Sequence, residues 1–253
     1  MQTYVGVASE VMINRVTFVG VYRVFAFVLY RLIGLFVLVS AVQADVDRPR
    51  ITPPVGSTPH YPEPVFNEQC DWPDDRTLAA IVQVATDHGS HASGIVFDDN
   101  RVLTAAHALQ GAGHFFVRVG NGFLSADLVM VDHTNDLAVL AVDTALIEPL
   151  VISVFNPVKF DPVWAAGYPR AEAMSMSMGV FNQFSNGALY TSATIDSGQS
   201  GGGLLSCEQG RWTLVGMLRG YGVYRQGDRY VKLENHSVSV AGATINEFLH
   251  KYR

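Results

Sequence analysis

The chain has 253 residues, 49% of them apolar and 16% charged, and carries a net charge of −6 at neutral pH. Length and apolar share suit a globular domain with a full core and exclude a disordered chain. The acidic balance, with no basic run, argues against nucleic acid or anionic lipid as a partner.

Residues 1–44 read as a secretory signal. Arg15, Arg23 and Arg31 precede an apolar run over 32–39, and Val42-Gln43-Ala44 supplies a cleavage site after Ala44, with Met12 as a second possible start. An uncleaved anchor is the alternative. Extending the run back to Phe25 reaches the ~20 residues a spanning helix needs, but buries Arg31. Cleavage would leave 209 residues, and loss of three arginines and one glutamate would take the charge from −6 to −8. Residues 45–77 follow as a leader or propeptide, in which Pro49, Pro53, Pro54, Pro59, Pro62, Pro64 and Pro73 favour an extended chain.

From residue 78 to the C-terminus short apolar segments alternate with turn signals. Strands are predicted over 78–85, 94–97, 102–105, 115–119, 123–131 and 137–142, enough for one barrel. After a boundary near 143–150, a second set is predicted over 150–154, 163–167, 178–184, 188–194, 203–207, 212–219 and 230–233. Met174, Met176 and Met178 alternate with serine, which reads as a surface loop or edge strand, or more sharply as a loop offering adaptable apolar surface to a peptide. Thr244 and Glu247 fit a capping box for a closing helix, with Ile245, Phe248 and Leu249 on one face. Cys70 and Cys207 read as a disulfide in an exported chain, tying the N-terminal extension to the second barrel; two free thiols are the alternative.

Three short motifs carry chemistry. In Gly198-Gln199-Ser200-Gly201-Gly202 one hydroxyl stands among residues with little side chain, so the backbone can fold tightly around it and the N–H groups of Gly198 and Ser200 can converge on an oxyanion. Thr104-Ala105-Ala106-His107 supplies a base that titrates near neutrality. Asn135-Asp136-Leu137-Ala138-Val139-Leu140 supplies a carboxylate at the head of an apolar strand, with Asp132 as its local competitor. The other seven histidines lack the Thr-Ala-Ala context. His88 and His91 read as a loop without further matched ligands, so neither metal nor cofactor is expected.

In the chain order His107, Asp136, Ser200, and with Ser93-Gly94-Ile95-Val96 upstream, these motifs resemble the trypsin-like (chymotrypsin-fold) serine proteases of bacterial type, nearest to the HtrA/Deg and glutamyl-endopeptidase branches. The resemblance implies an all-β fold of two six-stranded antiparallel barrels with a short C-terminal helix. It implies a serine endopeptidase with Ser200 as nucleophile, His107 as general acid and base, Asp136 as orienting carboxylate, and Gly198 and Ser200 as oxyanion donors. Thr194 would lie at the base of the specificity pocket. No carboxylate stands there, so cleavage after lysine or arginine is disfavoured and a small, polar or apolar side chain is expected. Arg219 would sit near the substrate-pairing strand, facing solvent or attracting an acidic side chain. Gln199 replaces the aspartate of the trypsin zymogen switch, so that switch is not expected. No PDZ-length segment follows the protease region, so HtrA-like trimers are not implied. The expected protein is a secreted or periplasmic monomer acting on peptide or protein substrates, contacting a membrane only if residues 1–44 are retained. A catalytically silent protease-fold binding protein and a membrane-tethered interaction protein are the rival readings.

Overall fold

A computed structural model describes residues 70–144 and 147–251. The signal, the cleavage site and most of the proline-rich leader lie outside the described residues.

Six strands form the first barrel: β1 (Ile81–Thr86), β2 (His91–Asp98), β3 (Arg101–Ala105), β4 (Phe115–Val119), β5 (Gly122–Asp132) and β6 (Leu137–Ala141). They close in the order β1-β2-β3-β6-β5-β4, with β1 returning to β4. Leu78 and Ala79, expected to open the first strand, belong instead to a short helix α1 (Asp75–Ala79). The cause is local: the Asp74 carboxylate accepts the Thr77 N–H at 2.8 Å and starts a helical turn.

The second barrel contains β7 (Pro162–Gly167), β8 (Ser175–Ser185), β9 (Ala188–Thr191), β10 (Gly203–Glu208), β11 (Arg211–Gln226) and β12 (Arg229–Ala241), closed in the order β10-β11-β12-β9-β8-β7. Two closed six-stranded antiparallel barrels are the expected architecture. The expected strand over 150–154 is absent and only Ile152 bridges to Leu214. β12 ends with Ala241 opposite Gly216, which leaves one short stretch of β11 edge at Leu214 free. Ser153 N–H donates to the Leu214 carbonyl and Leu214 N–H to the Val151 carbonyl, each at 2.9 Å, which fills it.

The methionine-serine segment divides: Met174 lies in an irregular stretch, as a loop reading expects, while Met176 and Met178 lie in a strand that is not an edge. Ser175 opens β8, where Met176 pairs with Ala166 and Met178 with Trp164, and a closed barrel offers no edge. α2 (Gly242–His250) starts two residues before Thr244 and has no side-chain cap, so the capping box does not form. Tertiary contact places its start: a β-carbon on Gly242 would fall on the Ser153 carbonyl oxygen.

Strand alternation divides the core between the barrels. In β7, Val163 and Ala165 fill the second barrel, while Trp164 and Ala166 join the continuous cluster that contains the first barrel's interior and α2 residues Ile245, Phe248 and Leu249. A disulfide joins Cys70 to Cys207 of β10. Beside it Trp72 packs on Trp164 at 4.4 Å between ring centroids, and Trp212 donates its indole N–H to the Trp72 carbonyl at 3.0 Å. The stretch around residues 70–72 is thereby strapped to the second barrel.

Candidate active site

His107 lies in a 3-10 turn directly after β3, and Asp136 immediately precedes β6. Because Ala105 pairs with Leu137, the chain leaving β3 runs beside the chain starting β6. Asp136 adopts a left-handed conformation (φ 61°), which its short polar side chain tolerates. That turn aims both carboxylate oxygens at one residue: Oδ1 accepts the His107 backbone N–H at 2.8 Å and Oδ2 meets His107 Nδ1 at 2.7 Å. A carboxylate can only accept, so Nδ1 carries the proton and Nε2 of the neutral ring is left basic. Asp136 is 5% exposed and His107 only partly exposed. Asp132 does not compete, because its oxygens accept from the Thr134 and Asn135 N–H groups and the Asn135 amide within its own turn.

Ser200 sits on the irregular stretch between β9 and β10. Gly198 (φ 95°) and Gly201 (φ 85°) both need left-handed backbone. A β-carbon on Gly201 would strike the Ser93 carbonyl and crowd Thr104 Oγ1 and Ala105 N, so the serine turn is docked on the strand ends that lead to His107. The Ser93 N–H donates to the Ser200 carbonyl at 2.8 Å. The fully buried Ser93 hydroxyl donates to the Gly198 carbonyl at 2.9 Å and accepts the Tyr168 N–H at 2.8 Å. Gln199 is buried; its amide oxygen accepts the Asp196 N–H at 2.7 Å and its nitrogen donates to the Ser175 carbonyl at 3.3 Å. A neutral amide thus closes the turn internally.

The Ser197 carbonyl accepts the Arg170 N–H at 2.8 Å. In a trans peptide carbonyl and N–H point in opposite directions, so this bond turns the Gly198 N–H away from Arg170. Among the described residues neither the Gly198 N–H nor the Ser200 N–H has a hydrogen-bond partner. The Ser200 hydroxyl donates to the Arg219 carbonyl at 3.2 Å rather than to His107. The structure therefore brings His107 and Asp136 into direct contact and sets Ser200 against the middle of β11, at the Arg219 carbonyl.

Arg219 is not directed as expected. Its Nε lies 3.4 Å from Asp136 Oδ2, on the side of the His107–Asp136 pair. Thr194 donates its hydroxyl to Asn235 Oδ1 at 3.0 Å, and the Tyr221 and Ser197 hydroxyls lie 3.3 Å apart. Asp196 bonds Lys232 Nζ at 2.6 Å and Arg170 Nη2 at 3.4 Å. Lys232, with help from Arg170, holds the Asp196 carboxyl below the usual carboxylate range against the opposing effect of burial. Burial pushes the Tyr168 phenol up, so it stays a neutral donor to the Ile81 carbonyl at 3.2 Å and ties the barrels together.

Sequence reasoning gave no role to Ser93, Arg170 or Lys232. A serine inside an apolar strand is the one legible signal among them, since a buried hydroxyl must find partners.

The model of the trypsin-like peptidase domain matches residues 92–217. No curated protein matches the chain. Solved structures do. The active form of the Rv3671c protease from M. tuberculosis is 19% identical over 79% of this chain and 93% of its own, with a TM-score of 0.59. A serine endoprotease from Yersinia pestis is 24% identical over 72% of this chain and 67% of its own, with a TM-score of 0.58. The HtrA-type protease AlgW, solved with a tripeptide, is 21% identical over 70% of this chain and 60% of its own, with a TM-score of 0.60. With its peptidase domain over 92–217 and two closed barrels shared with HtrA-type structures, the chain belongs with the trypsin-like serine proteases.

Proposed function

We propose that the protein is an exported serine endopeptidase that cleaves peptide bonds through an acyl-enzyme on Ser200. The observation that carries the reading is the two-point grip of Asp136 on His107, which fixes the tautomer that leaves Nε2 basic. Attack requires the Ser200 hydroxyl to leave the Arg219 carbonyl and turn to His107. His107 Nε2 then takes the proton as Oγ bonds to the substrate carbonyl carbon. The carbonyl oxygen gains negative charge and accepts from the Gly198 and Ser200 N–H groups. His107 returns the proton to the departing amine, and water, activated by the same nitrogen, releases the acid and restores Ser200.

The substrate is a peptide or protein with a small, polar or apolar side chain before the scissile bond, because Thr194 offers no carboxylate to a lysine or arginine. The Cys70–Cys207 disulfide supports an oxidising compartment, secreted or periplasmic.

One observation favours a second reading, a silent protease-fold binding protein: the Ser200 hydroxyl bonds to Arg219, not to His107. A fluorophosphonate probe decides between the two. Labelling of the folded protein that disappears in Ser200→Ala, with peptide hydrolysis falling on the order of 10⁴-fold or more, is expected. Equal labelling of both proteins refutes Ser200 as nucleophile. Labelling of neither favours the binding protein.

A further inference from the structure

We propose that Arg219 is a positioning residue that shares the Asp136 carboxylate with His107 and sets the pH at which His107 becomes a base. This rests on the peptidase reading above. Arg219 Nε lies 3.4 Å from Asp136 Oδ2, the same oxygen that bonds His107 Nδ1 at 2.7 Å. The Arg219 side chain is 32% exposed overall, yet its Nε is buried and makes no hydrogen bond. The buried end of the guanidinium is therefore the end turned toward the carboxylate.

The reason lies in the charge of Asp136. A carboxylate at this depth needs a compensating cation, and neutral His107 supplies a hydrogen bond but no charge. Arg219 supplies the charge from the opposite barrel. When His107 takes the serine proton, a second positive charge forms on the far side of the same oxygen. Repulsion between the two cations opposes the imidazolium, and Asp136 divides its attraction between them. Among the described residues Asp136 and, through it, Arg219 are the charged groups within ion-pair reach of His107. Asp132, in the same turn, is engaged by Thr134 and Asn135. The Arg219 carbonyl also holds the Ser200 hydroxyl at 3.2 Å. One residue thus contacts the nucleophile with its backbone and the orienting carboxylate with its side chain.

The test is the titration of the His107 imidazole followed by NMR in the Ser200→Ala protein, which cannot cleave itself. Adding Arg219→Gln is expected to raise the midpoint by ~0.5–1 pH unit, because a like charge has been removed. Adding Arg219→Lys, which keeps the charge and loses the fork, is expected to leave it within ~0.3 unit. Arg219→Met, which retains the aliphatic stem, replaces the Gln variant if that protein does not fold. In the Ser200 protein the acidic limb of the kcat/KM profile moves to higher pH with Arg219→Gln while KM stays near its original value. A midpoint that stays or falls in a folded neutral variant overturns the proposal, as does a Lys variant that shifts as far as Gln. Wild-type protein inert to probe and peptide would instead overturn the peptidase reading, and the imidazole titration would still decide this one.

Discussion

The two barrels build their halves of the site by different means. The first carries His107 and Asp136 at the ends of two directly paired strands, where the Ala105–Leu137 pair sets the spacing. The second carries Ser200 on a stretch that belongs to no strand, bent by two glycines with positive φ. Its shape depends on bonds from elsewhere: Ser93 from the first barrel, the Arg170 N–H, and the Asp196–Lys232 ion pair. The His107–Asp136 half is part of a sheet ladder, whereas the Ser200 half is a loop assembled by its neighbours. Loops of this kind take the lower end of local stability, so their anchors are where the comparison can be tested.

The largest effect is expected from the covalent strap, which only the second barrel has. Removing it with Cys70→Ser and Cys207→Ser is expected to lower the free energy of unfolding by up to ~4–5 kcal/mol, given the 137-residue separation of the two sulfurs. Tryptophan fluorescence during urea unfolding reports it, because Trp72, Trp164 and Trp212 all lie on that face. A midpoint unchanged by the substitutions would mean that packing of the tryptophans suffices.

Ser93→Ala sharpens the comparison, since it cuts a cross-barrel anchor without touching the His107–Asp136 pair. It leaves the Tyr168 N–H and the Gly198 carbonyl unpaired in a buried place, at a cost of about 1–3 kcal/mol. The expected kinetic signature is a fall in kcat with KM little changed and the His107 titration where it was. Unaltered kcat would show that the serine loop supports itself.

The smallest effect concerns Asp196, whose carboxyl Lys232 holds below its ordinary value. A depressed carboxyl stabilises the fold above its unfolded value of about 3.9, and the contribution is lost as pH falls through the lower folded value. Asp196→Asn is therefore expected to destabilise slightly at pH 6 and not at pH 2–3, as read from thermal midpoints. Its side chain is 42% exposed, so solvent screens the pair and the difference stays small. A difference that grew toward low pH would reverse the assigned sign.

Legibility in the sequence followed the range of the forces involved. The first barrel's strands could be read to within a few residues because alternation in a half-buried strand is a local property. Where that reading missed, Leu78 and Ala79 yielded to the local Asp74 cap, and the other exceptions have non-local causes. Residues 150–154 make one bridge because only a short stretch of β11 edge remains open. The helix start at Gly242 answers to Ser153, far away in the chain. β11 and β12 run on past the predicted ends as one long ribbon, whose tip pairs Gln226 with Arg229.

The same division holds at the site. Sequence alone determined which residue types stand where chemistry needs them: a histidine after an apolar strand, an aspartate before one, a serine among glycines, and two cysteines far apart. Short motifs carry that information because backbone conformation and residue chemistry act over a few positions. Only the tertiary structure decided that both Asp136 oxygens grip His107, that Ser93 braces the serine loop, and that Arg219 turns to Asp136 instead of a pocket. Those outcomes are set by hydrogen bonds and charge pairs between residues tens to more than a hundred positions apart, and such pairs have no local signature until the barrels close.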